Sequence, residues 1–138
     1  MSCVIRIEGE DFDVDEVAPR LASQSPLLRY VAVRRGDAHR SGKQVLVAAQ
    51  SSLEIEISAQ YFELLSSELP LIRRFLQAHA TTFSWLTSVP GVQHAYISVV
   101  MQLRDVAKFP QEDEELPDDI IRLLAMSGLR LRVSFSSE

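Results

Sequence analysis

Asp11, Asp13 and Asp15, followed at once by Glu16 in the stretch GEDFDVDEV (9–17), are residues whose type and spacing could do chemistry. Alternating carboxylates are hard oxygen ligands, so a calcium site is the first chemistry to weigh. A helix-loop-helix calcium loop needs Gly at its sixth position and a bidentate Glu at its twelfth. Counted from Asp11, those positions hold Glu16 and Ala22, and the pattern fails. Asp13 and Glu16 instead have the spacing of a capping box, in which the aspartate accepts from the amide three residues on. Acids also suit the positive end of a helix dipole. The expectation is a helix start and no metal.

A second acidic run, Glu112, Asp113, Glu114, Glu115, Asp118 and Asp119, has two readings. It is a solvated loop leading into a helix, or a patch that masks a basic partner, with association steered by charge and weakened by salt. Trp85 is expected near a helix end, where an aromatic side chain can anchor an interface. Arg34, Arg35 and Arg40 lie close together in sequence and suit an anionic ligand. A pairing of Glu10 or Asp11 with an acid from 112–119 would make a two-carboxylate site, if the fold brought them together.

His39, His79 and His94 are far apart, and none has a second His, Cys or acid at a metal-ligand spacing. A lone histidine lacks the oriented partner that general-base chemistry needs. The single Cys3 has no context of a catalytic thiol and no internal disulfide partner, which points to a reducing cytoplasm. With five glycines and no phosphate loop or nucleophile elbow, an NTPase or dinucleotide enzyme is not expected, and no cofactor is expected.

These residues must be positioned by a regular alternation of elements. CVIRIEG (3–9) alternates as a strand with one buried face, and Val14, Val17, Ala18 and Leu21 follow as the apolar stripe of a helix. LLRYVAVRRG (27–36) alternates again. DAHRSGKQ (37–44) reads as a polar turn or loop, and QVLVAAQ and LEIEIS read as two further strands, the latter with Leu53, Ile55 and Ile57 inward. From Ala59 the period becomes helical, with Pro70 expected to start a second helix or kink one long one. VQHAYISVVMQL is the strongest strand signal and is placed centrally in the sheet. Pro117 and its acids favour a helix start, Gly128 its end, and LRLRVSFSS a closing strand.

The order yields two β-α-β units, residues 3–35 and 92–136. It predicts one α+β domain over 1–138: a ferredoxin-like sandwich with a mostly antiparallel sheet and helices on one face. IRIEGEDFDVDEVAPRLA at the start and LPDDIIRLLAMSGLRLRVSFSS at the end resemble a family of small bacterial domains of unknown function, numbered 4279. The resemblance implies a bacterial origin and this fold type, and transfers no catalytic residue. The chain departs from that family after the second strand, where QVLVAAQSS stands in place of a Trp-containing strand. Small acidic bacterial domains of this kind are similar to immunity proteins that neutralise toxins.

Whole-chain totals narrow the partners. Fourteen Lys and Arg against 19 Asp and Glu give a net charge of −5, which repels nucleic acid and anionic membrane and attracts a basic protein. No stretch approaches the roughly 18 apolar residues of a membrane span, and Arg6, Glu8 and Glu10 interrupt any signal-peptide core. Three functions are therefore expected in descending order. The first is a non-catalytic interaction module, immunity-like, using the acids at 112–119 and Trp85. The second is a sensory domain binding a small molecule near Arg34, Arg35 or Arg40, and the third an enzyme. An open sheet edge also allows a homodimer.

Overall fold

The computed structural model describes residues 3–59, 65–103 and 115–137, without the side chains of 39, 41, 102, 103, 136 and 137. The elements are β1 (Cys3–Gly9), α1 (Val14–Gln24), β2 (Tyr30–Val33), β3 (Ala38–Ser41), β4 (Gln44–Val47), β5 (Ser51–Ser58), α2 (Leu65–Leu86), β6 (His94–Leu103), α3 (Asp118–Ser127) and β7 (Arg130–Ser137). The architecture is α+β, with a five-stranded sheet ordered β2-β5-β1-β6-β7 and a separate β3-β4 ribbon.

Alternation in the strands dictates which sheet face is covered. Ile5 pairs with Ile55 and Ile97, and Ile7 with Leu53 and Ala95, so odd-numbered apolar side chains meet in cross-strand rows. Onto these rows pack Val14, Val17 and Leu21 of α1, Ile72, Leu76, Phe83 and Leu86 of α2, and Ile120 and Leu124 of α3, forming one buried cluster. All three helices thus share a single core with one side of the sheet. The other side carries the even-numbered residues, among them Arg6, Glu8, Glu54, His94 and Tyr96, aligned in the same registers.

Some expectations hold and others require correction. The sheet is mostly antiparallel, as expected: β1 pairs antiparallel with β5 and β6, and β2 with β5, whereas β6 and β7 run parallel. The parallel pair follows from α3, because a strand-helix-strand crossover returns the chain in its original direction. β6 is internal but not central, since β1 holds the middle of the order. DAHRSGKQ is a turn only at Gly42 and Lys43. Its backbone forms β3 and the turn into β4, with Gly42 at φ +64 serving the reversal.

α2 also differs from expectation. It runs unbroken through Pro70, and the non-helical backbone lies at His79, whose ring sits 4.8 Å from Phe75 and 6.4 Å from Phe83. The i, i+4 spacing of these three rings holds the helix on both sides of the break to a common aromatic column. The start of α1 and the end of α3 match the sequence reading. Asp13 accepts from the Glu16 amide at 3.2 Å, and Gly128, at φ +70, closes α3 with its following amide bonded to the Leu124 carbonyl.

Candidate functional site

A close backbone crossing joins the end of β1 to the loop before β6. A Cβ on Gly9 would collide with the Gly91 carbonyl oxygen, and one on Gly91 with the Asp11 carbonyl oxygen. Gly91 itself stands at φ +91, where only glycine is unstrained. The Gln93 amide donates to the Glu8 carbonyl at 2.9 Å, and its side-chain oxygen accepts from the Glu10 amide at 3.1 Å. These bonds fix the end of the 88–93 loop against the end of β1.

A groove of about 460 Å³ opens beside that crossing, lined by Asp11, Asp13, Glu16, Arg20, Trp85 and Pro90, among others. Trp85 is half-buried on the last turn of α2, and the Arg20 guanidinium lies over its ring at 4.0 Å. Val17 and Val89 add apolar wall. The carboxylates that opened the sequence question therefore share one groove with the tryptophan expected to be an interface anchor. Asp15 points elsewhere and pairs with Arg34 at 2.5 Å. Among the described residues no three His, Cys, Asp or Glu side chains form a group able to hold a metal.

The remaining expected site residues scatter. Asp119 makes a two-point ion pair with Arg73 of α2, at 2.5 and 3.2 Å, so this acid ties helix to helix. Glu115 and Asp118 are exposed, whereas Glu112, Asp113 and Glu114 lie outside the described residues. None of Glu115, Asp118 and Asp119 lines the groove that holds Asp11. Arg34 is engaged with Asp15, the Arg35 amide donates to Ser51 Oγ at 2.9 Å, and Arg40 stands on the exposed β3-β4 ribbon. The three arginines do not converge on one cavity.

The histidines are also apart, on β3, α2 and β6. Desolvation holds His79 below the usual imidazole range. Cys3 is buried, and burial together with the negative charge of Glu68 pushes its thiol up to about 12, which keeps it protonated. Nothing local in the chain signals Arg20 or the Gly9–Gly91 crossing, because both arise from contacts between residues far apart in sequence, Arg20 with Trp85 and Gly9 with Gly91. No family model, curated protein or solved structure matches the chain. Among the described residues, no helix is long and apolar enough to cross a membrane.

Proposed function

We propose that the chain is a non-catalytic protein-interaction module, immunity-like and cytoplasmic, whose groove at Trp85 accepts a basic segment of a protein partner. One observation carries this reading: Asp11, Asp13 and Glu16 rim a cavity whose aromatic wall already holds a guanidinium, that of Arg20. An incoming arginine can take the place of Arg20 on the ring, its fork paired by the carboxylates that rim the cavity. The net charge of −5 adds long-range steering toward a basic surface. Exposed Glu115 and Asp118 extend the acidic character to the start of α3.

β2, β5, β1 and β6, joined through α1 and α2 by connections that each skip one strand, are read as a ferredoxin-like unit. α3 and β7 add a fifth, parallel strand to it. The likeness of both chain ends to the bacterial domains numbered 4279 supports the bacterial setting.

Trp85 is the only tryptophan, so its emission reports directly on the groove. An arginine-rich peptide titrated at low salt is expected to change that emission saturably. The response is expected to weaken at least tenfold in Asp11→Asn/Glu16→Gln and to fade as salt rises, since the Debye length falls to about 3 Å at 1 M. A glutamate-rich peptide of equal length is expected to do nothing. Equal responses to both peptides, or an unchanged affinity in the double variant, would remove the groove from the reading.

A further inference from the structure

On the opposite side of the 87–93 loop, the parallel strands β6 and β7 begin side by side, with Tyr96 in register with Arg130 and Ser98 with Arg132. Ile97, Val99, Leu131 and Val133 turn toward the helices, which leaves His94, Tyr96, Arg130 and Arg132 on the uncovered face of the sheet. There they line a polar cavity of about 380 Å³, with Gln93 and Gly128 at its end. This is within the size range of small-ligand sites, roughly 300–1,000 Å³.

Charge in this cavity runs against that of the chain as a whole. Neither Arg130 nor Arg132 makes an ion pair among the described residues, although Arg6, Arg34 and Arg73 all do. The nearest carboxylate in the sheet registers is Glu8, opposite His94, and it is within 3.6 Å of Arg6. Arg132 is not free to wander. Its guanidinium lies over the Tyr96 ring at 4.0 Å, and Tyr96 beneath it is almost fully buried. Holding the fork in place before binding lowers the ordering cost that a long side chain would otherwise impose.

Arg130 stands two residues earlier on the same strand face, roughly 7 Å away at about 3.3 Å rise per residue. Two arginines on neighbouring positions of one strand face, each with a fork able to hold a planar oxyanion by two parallel hydrogen bonds, match a ligand with two negative charges. We infer that the cavity formed by His94, Tyr96, Arg130 and Arg132 binds a small dianion carrying carboxylate or phosphate groups. The site is separate from the Trp85 groove and stands whether or not that groove binds a basic partner.

The test is a titration of the full chain, observed by amide proton–nitrogen NMR, with inorganic phosphate in one arm and succinate in the other. At least one of them is expected to give saturable shifts centred on residues 92–96 and 128–132, and the stronger arm identifies phosphate or carboxylate as the preferred chemistry. Arg130→Gln, an exposed substitution on an edge strand, is expected to weaken binding at least tenfold, while Arg130→Lys loses less and Arg40→Gln leaves it unchanged. Arg132→Gln is expected to abolish it, with thermal melting used to confirm the fold. Absence of saturable shifts in both arms would overturn the inference. So would shifts spread evenly over the exposed arginines and indifferent to Arg130→Gln.

Discussion

At the scale of single residues, the side chains with reactive potential are mostly engaged in holding the structure. Cys3 is a small apolar group in practice. Its thiol is buried and held protonated, whereas only the thiolate attacks an electrophile. Iodoacetamide at pH 8 is therefore expected to label Cys3 no faster than the core opens, with the rate rising in step with urea unfolding. Rapid labelling of the native protein would contradict the burial.

Asp119 shows the opposite case, a charge held ionised by its neighbour. The hydrogen bond from Arg73, reinforced by its positive charge, keeps this carboxyl below the ordinary 3.8 of an aspartate. A depressed folded value means that the contribution is complete above pH 3.8 and is lost as the pH falls through the lower folded value. Asp119→Asn is expected to reduce the urea midpoint near neutral pH, and the gap from the parent to close as both are acidified. A constant gap down to pH 2 would show that the side chain acts by packing and not by charge. Both partners are largely solvated, so the effect is expected to be small.

Among elements, the decisive contact is between a strand end and a loop. Gly91 is required twice over, by its positive φ and by the closeness of the Asp11 backbone. Gly91→Ala is expected to cost about 1–3 kcal/mol in backbone strain alone, with more from the collision. It should also shift Trp85 emission, because the loop from Ser88 to Pro90 forms one wall of the groove. Urea denaturation and native-state fluorescence check the two effects separately. A stability unchanged by the substitution would mean that the crossing is looser than described.

The β3-β4 ribbon follows different rules. Val45, Leu46 and Val47 are 62%, 43% and 65% exposed, and β4 contributes no side chain to the core. Two strands without a packed face are marginal in water. The ribbon is anchored at its base by the Gly36 amide to the Ala48 carbonyl, 2.9 Å, and by the Ala48 amide to the Asp37 carbonyl, 2.8 Å. Beyond that base it depends on its own four residue pairs.

For the whole molecule, the continuity of the core matters most. Because β1, β5, β6 and the three helices bury their apolar sides in one cluster, they are expected to unfold together. Trp85 fluorescence and far-ultraviolet circular dichroism should give coincident urea transitions. Amide exchange in the β3-β4 ribbon should be fast well before that transition, as an element outside the core opens locally. Exchange in Val45–Val47 as slow as in Ile5 or Ile97 would indicate that something covers the ribbon in solution.

Local patterns were enough for much of this architecture. The alternation of Ile5 and Ile7, the cap at Asp13 and the left-handed Gly128 are legible in sequence, because each is set by neighbours within a few residues. The helical period around Leu69, Ile72 and Leu76 likewise predicts a buried stripe. Strand adjacency was not legible: the order strand, helix, strand over 92–136 implies the direction of β7, but nothing in LRLRVSFSS says that it lies beside β6 instead of another strand. That choice is made by the crossover of α3 over the shared core. Of the ribbon, β4 is legible in QVLVAAQ, whereas β3 escaped notice because His39 and Arg40 carry no alternating apolar pattern.

The sites divide in the same way. Sequence by itself determined that Asp13 would cap a helix and that Arg130 and Arg132 would share a strand face, since periods of 3.6 and 2 fix such relations. Only the tertiary structure decided that Arg20 would cover Trp85, that Asp119 would answer to Arg73, and that Arg34 would be taken up by Asp15. Those pairings join residues tens of positions apart. They depend on how three helices settle over one sheet, where apolar burial positions the backbone first and the charged side chains pair with whatever it brings near.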